Sequence, residues 1–240
     1  MDNQAPTKVA LFTRDRHGGV RIAVPRRFPD SAGVGSIPLA VQEVGEAVAH
    51  FPIAFIGEEK PQLSVIVTVT NNHNLFVNPD GTWLDGAYIP ALLRRRPFAI
   101  APTDKADTFA IVVDEGDKTL DPAGGVLLFD EDKPSALCDE LLKLTRELQP
   151  ALVATEAFVN ALNQHDLLVA RTVTLAGAGE PSVLQGLRLI DPEKLAALPE
   201  ATVIEWHRNG YLGAIALINS SQGRWPALMR LAAQRAGARA

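Results

Sequence analysis

Three consecutive arginines, Arg94, Arg95 and Arg96, follow closely after the aromatic residues Trp83 and Tyr88. A guanidinium group presents a planar fork of N–H donors that fits a carboxylate or a phosphate. Aromatic side chains beside arginine are common at recognition surfaces. We therefore predict that Trp83, Tyr88, Arg94 and Arg95 line a surface that binds a small anionic ligand or a protein or peptide partner.

A structural interpretation of the same residues competes with this prediction. On a helical turn, adjacent side chains point about 100° apart, so at most two of the three arginines converge on one ligand. One arginine would then pair with Asp80 or Asp85, and the others would be solvated. Trp83 and Tyr88 would pack their loop onto the core while their N–H and O–H groups find partners.

An enzyme acting on a small acid or peptide is the second hypothesis. The arginines would orient the substrate carboxylate, and His73 or His207 would act as the general base. Our first hypothesis assigns no catalytic residue. Neither histidine lies in a spacing typical of metal ligands, so the sequence predicts no metal site. Glu205 is two residues from His207, a spacing that does not bring helical side chains together.

Three familiar catalytic or nucleotide-binding motifs are incomplete in this chain. Ser220 and Ser221 lack the Gly-x-Ser-x-Gly setting of a nucleophile elbow. The Gly-Val-Gly at 33–35 lacks the third glycine of a dinucleotide fingerprint. No phosphate-loop lysine follows the glycines of 13–19. The sequence therefore predicts no cofactor and favours binding over catalysis.

The composition is that of a globular protein with an acidic balance. The 240 residues carry a formal net charge of −5, which disfavours a general nucleic-acid binder because phosphate contacts need a basic face. The length allows one large or two small domains. Cys138 is the single cysteine, so no intramolecular disulfide forms. Its surroundings have a helical pattern, and we expect a packed thiol.

The chain shows no targeting or membrane-spanning segment. The amino terminus lacks the charged and apolar regions of a signal peptide. The longest apolar runs, such as 63–70, are too short to cross a bilayer. We therefore expect a cytoplasmic protein without a transmembrane segment.

The order of predicted elements indicates an α+β fold, with a mixed or antiparallel sheet in a strand-rich amino-terminal part and a helix-rich carboxy-terminal part. β-branched or alternating segments predict strands at 8–12, 20–24, 51–56, 63–70, 75–77, 108–113, 126–129, 167–175 and 187–190. We expect a single domain over 1–240, with a sub-boundary near 130 as an alternative.

Helical spacing of apolar residues predicts helices near 38–50, 89–96, 134–149, 151–164 and 191–198, and from 199 to the end with breaks at Gly210 and Gly223. Asp132 is expected to cap the helix after Pro134, and Pro150 to end it. Asp191 opens a later helix, and 177–179 reads as a turn between two strands.

The carboxy-terminal segment 215–239 combines apolar residues with four arginines. An amphipathic basic helix of this kind can dock on a partner or an anionic membrane face. The alternative is a terminal helix that packs its apolar stripe on the domain. A third hypothesis for the whole chain is an oligomeric scaffold, a homo-oligomer whose carboxy-terminal helices form the interface.

Several segments together resemble the SapC family of bacterial proteins. The resemblance rests chiefly on residues 51–55, 74–77, 80–83, 88–91 and 94–98, and extends to Pro38-Leu39, Glu43, Gly186-Leu187, 191–198 and 207–212. Two positions depart from the family pattern. Arg96 stands where the family usually has tyrosine before Pro-Phe, and Asn72-His73 stand where it tends toward Gly-Glu.

The family is named after a gene associated with surface-layer protein secretion, and its members are largely uncharacterised. The resemblance therefore implies an accessory role in surface-protein export or envelope uptake, and it implies no reaction mechanism.

Overall fold

The computed structural model describes residues 8–69, 73–104, 108–121, 123–175 and 182–237. Over these residues the fold is α+β with antiparallel sheets, as the sequence predicted. The strands are β1 Val9–Leu11, β2 Arg21–Ile22, β3 Ser36–Pro38, β4 Ile53–Ile56, β5 Gln62–Ile66, β6 Phe98–Pro102, β7 Phe109–Asp114, β8 Val126–Leu127, β9 Phe129–Asp130, β10 Lys133–Pro134, β11 Leu168–Leu175 and β12 Ser182–Ile190. The helices are α1 Arg14–His17, α2 Val44–Ala47, α3 Ala91–Arg94, α4 Ala136–Gln164, α5 Pro192–Ala196, α6 Glu200–Arg208, α7 Tyr211–Ser221 and α8 Trp225–Gly237.

The chain forms two compact units, each assembled from three stretches of sequence. Unit one comprises the described parts of Met1–Asp30, Val77–Asp85 and Ala91–Pro150. Unit two comprises those of Ser31–Phe76, Gly86–Pro90 and Ala151–Ala240. The expected sub-boundary near 130 stays a prediction.

Unit one is built on a three-stranded antiparallel sheet in the order β1-β7-β6. Leu11 lies opposite Val112, and Phe98 lies opposite Val113. Phe12 stacks on the Phe129 ring with centroids 5.0 Å apart. The buried core joins the sheet to the first half of α4 and consists of Ile22, Phe98, Val113, Leu128, Phe129, Cys138, Leu141 and Leu142. Cys138 is fully buried, which confirms the packed thiol.

A close backbone approach in unit one requires glycine at position 125. Gly125 has φ +80°, a left-handed conformation that side chains rarely adopt. A Cβ atom there would lie 1.9 Å from the carbonyl oxygen of Ile22. The pairing of β2 with β8, in which Ile22 lies opposite Val126, therefore depends on this glycine.

Unit two contains a five-stranded antiparallel sheet in the order β11-β12-β4-β5-β3. The β4 side chains Ile53 and Phe55 are fully buried, as are Leu63 and Val65 of β5. The hydroxyl of Ser221, at the end of α7, accepts a hydrogen bond from the Ile53 N–H over 2.9 Å. This bond ties the end of α7 to the start of β4.

Several predicted elements are confirmed. Strands form at β4, β7, β11 and β12, and α3 supplies the predicted helical turn. Asp191 caps α5 by accepting from the N–H groups of Glu193 and Lys194. Gly210, with φ +83°, separates α6 from α7. The predicted turn at 177–179 lies outside the described residues.

The prediction that Pro150 ends a helix is wrong, because α4 runs through it for 29 residues. Its apolar stripe continues on both sides of the proline, and burial of that stripe outweighs the missing backbone hydrogen bond. Asp132 is not the cap of α4. Residues 133–134 pair with β9 as β10, and the Ser135 hydroxyl accepts from the Cys138 N–H over 3.4 Å.

Three other predicted elements differ in extent. The helix expected near 38–50 is reduced to a 3-10 turn, Val41–Glu43, followed by the four residues of α2. The strand expected at 63–70 ends at Ile66 as β5. The strand expected at 75–77 contributes one isolated bridge, from Val77 to Trp83. A short apolar run shows little periodicity, so it does not define how long its helix or strand will be.

Candidate functional site

The arginine run begins on a single helical turn. α3 ends at Arg94, and two further backbone hydrogen bonds prolong the turn. The N–H of Arg95 donates to the carbonyl of Ala91 over 2.9 Å, and that of Arg96 donates to Leu93 over 3.1 Å. The side chains consequently leave the backbone about 100° apart, and each meets a different environment.

Arg96 is held by two carboxylates. Its Nε donates to Asp117 Oδ2 over 2.6 Å, and its Nη2 donates to Asp30 Oδ2 over 3.1 Å. Asp117 is only 5% exposed. The carboxylates that pair with Arg96 are therefore Asp117 and Asp30 instead of the expected Asp80 or Asp85. The cause is tertiary, since both acceptors lie far from Arg96 in sequence.

A fourth arginine, Arg26, supports the backbone of the run. Its guanidinium donates to the carbonyl oxygens of Arg94, over 3.3 Å, and Arg96, over 2.5 Å. It also lies 5.5 Å from the centroid of the Phe28 ring. Burial lowers the pKa of Arg26, with Asp117 opposing that shift. Arg26 was not predicted from the sequence, because nothing local links it to residues about seventy positions later.

Trp83 lies in the interior of unit one. The indole is 7% exposed and meets the Phe28 ring edge to face, with centroids 6.2 Å apart. Phe28 in turn lies beneath Arg26. Trp83 is thus connected to the arginine turn through two intermediate side chains, and it contributes support to the turn.

Arg95 differs from its neighbours in the run. Burial lowers the pKa of its guanidinium, and burial is the sole cause of that shift. No acceptor among the described residues lies within hydrogen-bonding distance of the group. Arg95 is therefore a half-buried cation whose donors are not used by the described part of the chain. Arg94 is half-buried as well.

Tyr88 belongs to unit two, and its hydroxyl is engaged there. The phenol donates to Glu43 Oε1 over 2.7 Å. The second oxygen of Glu43 accepts from the Ala40 N–H over 2.9 Å. Glu43 is buried, so this pair fixes Tyr88 to the turn at the start of α2. Trp83, Arg94 and Arg95 belong to unit one.

The two histidines of the enzyme hypothesis also belong to unit two. His207 is exposed on α6, and His73 is half-buried immediately before Asn74. Asn74 is fully buried, donates to the carbonyl of Ser31 over 3.0 Å and accepts from the Phe76 N–H over 2.9 Å. The buried amide fixes the backbone at this point of the family pattern.

Sequence reasoning overlooked His17 of unit one, which is fully buried. Its Nε2 lies 3.5 Å from Glu115 Oε1. Hydrogen bonds from Arg16 and then Lys8 lower the pKa of Glu115 to about 2. A turn signal, Gly18-Gly19, marks this segment in the sequence, but nothing there indicates a carboxylate almost one hundred residues away.

The carboxy-terminal helices make several contacts inside unit two. Trp225 Nε1 donates to Gln222 Oε1 over 3.0 Å, and the Gln222 amide donates to the carbonyl of Ile53 over 2.7 Å. Arg224 donates to the carbonyl of Val48 over 3.0 Å, and Leu228 is buried. These contacts favour the interpretation of a terminal helix packed on its own unit.

Three cavities are prominent among the described residues. One of about 410 Å³ in unit two lies between α4 and β5, and one of about 360 Å³ lies beside the bulge of the β11–β12 hairpin. A third, of about 580 Å³, follows the acidic loop before α4 in unit one. None of these three cavities is lined by Trp83, Tyr88, Arg94 or Arg95.

Neither a cluster of metal ligands nor a membrane-spanning helix occurs among the described residues. No group of three or more histidine, cysteine, aspartate or glutamate side chains in this part of the chain is placed to hold a metal ion. No helix within the described ranges is both long and apolar enough to cross a bilayer.

Comparison with known families agrees with the resemblance drawn from the motifs. The profile of the SapC family matches residues 12–228 of the 240-residue chain. This chain belongs to the SapC family. The match to SapC includes the arginine run, its supports and the second unit's sheet. No curated protein and no solved structure matches the chain.

Proposed function

We propose that this SapC protein is a non-catalytic binding protein that captures an anionic group, on a small ligand or a peptide, through Arg95 with Arg94 beside it. The observation that carries the proposal is the half-buried Arg95 guanidinium, for which the described residues supply no acceptor. Partial burial makes an approaching anion interact with this cation more strongly than it would in bulk water. An incoming carboxylate or phosphate would also accept hydrogen bonds of the strong, charge-assisted form.

The neighbouring residues support a division of roles. Arg96 has its Nε and Nη2 donors committed to Asp117 and Asp30, so it acts as a structural tie. Arg26 binds the backbone carbonyls of the turn and thereby positions Arg95. In this proposal Trp83 supports the turn through Phe28. Tyr88 belongs to unit two, where its hydroxyl binds Glu43, and the proposed site does not use it.

The cellular role is the broader part of the proposal. The family's association with surface-layer protein secretion supports an accessory function, from the cytoplasmic side, in surface-protein export or envelope uptake. An acidic segment of an exported protein would present the carboxylates that Arg95 suits. A chromosomal Arg95→Ala substitution is then expected to lower the amount of exported surface protein at an unchanged level of the SapC protein.

Calorimetric titration with citrate and with tetra-aspartate tests the binding step. Arg95→Ala is expected to weaken binding about tenfold or more, because a charge-assisted pair is lost. The affinity of Arg95→Lys should lie between those of Arg95→Ala and the wild type. Lysine keeps the positive charge but lacks the planar fork of N–H donors. Arg146→Ala is the matched control, because Arg146 is an exposed arginine of the same unit.

The proposal is wrong if folded Arg95→Ala protein binds both probes as tightly as the wild type does. It is equally wrong if Arg146→Ala weakens binding as much as Arg95→Ala, since the effect would then reflect net charge alone. Binding of neither probe by the wild-type protein would also count against an anion site.

A further inference from the structure

The cavity of about 410 Å³ in unit two has the form of a groove with an aliphatic floor. One wall is the carboxy-terminal half of α4, and the other is the segment that leads from the β4–β5 turn into β5. Leu39, Leu63 and Val159 line the groove and are almost fully buried. On α4, the lining residues from Leu152 to Asn163 recur at intervals of three or four, so one helix face borders the groove.

Three amide side chains border this floor, and those of Gln62 and Asn160 are exposed at its rim. Gln62, Asn160 and Asn163 line the groove, and none of their side chains makes a hydrogen bond to another residue in the described part of the chain. The lining hydroxyl of Thr155 behaves differently. It donates to the carbonyl of Ala151 over 2.7 Å and accepts from the Val41 N–H over 2.8 Å. The amides are therefore the polar groups left for a ligand, and each offers both a donor and an acceptor.

Charges of both signs surround the groove. Glu59, Lys60 and Glu156 line it, and all three are exposed. None forms an ion pair with another described residue. The groove is lined by two carboxylates and one lysine, so its charge disfavours an anion. A neutral ligand avoids this repulsion.

We propose that this groove binds a neutral, amide-bearing ligand with an aliphatic or aromatic body, of the kind a short peptide segment presents. The aliphatic floor suits the apolar body, and the three amides match peptide N–H and C=O groups. The volume lies within the range of clefts that hold small ligands. The site is separate from the arginine proposal, because it lies in the other unit and uses uncharged groups.

NMR titration of ¹⁵N-labelled full-length protein with N-acetyl-leucinamide tests the proposal. We expect shifts in the backbone amides of 59, 60, 62, 63 and 152–163 and in the side-chain amides of Asn160 and Asn163. The anionic analogue N-acetyl-leucine should bind several-fold more weakly, because it meets two carboxylates. Leucinamide should also bind several-fold more weakly, because it lacks the acetyl C=O that the side-chain amides would bind. Asn160→Ala and Asn163→Ala should each weaken binding about fivefold, the loss of one hydrogen bond.

A pair of tryptophan variants separates binding in the groove from binding elsewhere. Leu152→Trp fills the groove and should abolish the shifts. Val153→Trp is the matched control, because Val153 is the next residue on α4, is 59% exposed and does not line the groove. It should bind as the wild type does. Arg95→Ala should also leave this binding unchanged, which distinguishes failure here from failure of the anion site.

Three outcomes would overturn the groove assignment. The first is the absence of shifts with millimolar N-acetyl-leucinamide. The second is unchanged binding by folded Leu152→Trp protein, with circular dichroism confirming the fold. The third is equal affinity for the neutral and charged probes, which would remove the basis for a peptide-like ligand.

Discussion

Arg96 and Asp117 form an ion pair in which Nε donates to Oδ2 over 2.6 Å, with the Asp117 side chain almost fully buried. Asp117→Asn keeps the shape and leaves the Arg96 cation with one fewer carboxylate. Because Arg96 retains partial exposure and Asp30, we expect a loss of about 2 kcal/mol in the free energy of unfolding, measured by urea titration.

The control for this change is Asp132→Asn. Asp132 lies 2.8 Å from Arg14, but its side chain is 82% exposed, and surface pairs of this kind contribute little. We expect a change of about 0.5 kcal/mol or less. If both substitutions lower the free energy of unfolding equally, burial of the Arg96–Asp117 pair does not increase its contribution to stability.

Gly125→Ala is expected to destabilise the protein by at least about 2 kcal/mol. The residue has φ +80°, and the added Cβ would lie 1.9 Å from the backbone oxygen of Ile22. Gly19→Ala is the matched control in the same unit, because no atom lies within 4 Å of the position its Cβ would take. Urea titrations that give the same midpoint for both variants would contradict the close approach.

Glu115 should make stability dependent on acid pH. Its pKa in the folded protein is about 2, below the ordinary 4.5, because Arg16 and Lys8 stabilise the carboxylate. The contribution is therefore present above the ordinary pKa and is lost as pH falls toward 2. The difference in unfolding free energy between wild type and Glu115→Gln should shrink over that window. A difference that stays constant with pH would contradict this assignment.

The thiol of Cys138 should resist modification in the native state. Burial, with a smaller contribution from Asp139, raises its pKa to about 12. The native state therefore favours the thiol, and the associated stability is lost as pH rises above the ordinary 9 toward 12. We expect Ellman's reagent to react with the native protein at least about 100-fold more slowly than with protein in urea.

Ser220→Cys in a Cys138→Ala background is the control for reactivity. Ser220 is exposed on α7, so the new thiol should react at once in the native protein. Immediate reaction of native Cys138 would contradict its burial.

Local residue patterns were sufficient to predict the positions of some helices and strands. Asp191 before Pro192 marked the start of α5, and Gly210 marked the break after α6. Alternating β-branched residues located β5, and short apolar segments located β4 and β7. These signals succeed because a cap, a left-handed glycine and a pleated face each depend on a few neighbouring residues.

Elements whose extent depends on distant packing were predicted less well. Pro150 carries a strong local signal for a helix end, yet α4 continues past it. Residues 133–134 read as a helix start, but their pairing with β9 makes them a strand. The strand β6 was not predicted, because Phe98–Pro102 shows no alternation of apolar and polar residues. Its extended conformation is stabilised by its pairing with β7.

The sequence by itself determined the α+β class, the family and the presence of a cationic turn. Only the tertiary structure decided what each arginine does there. Arg96 pairs with Asp117 and Asp30, while Arg95 has no such acceptor among the described residues. A helical turn sends adjacent side chains in different directions, and the two acceptors come from a 3-10 turn and a loop elsewhere in the chain. Such long-range proximity leaves no trace in local residue patterns.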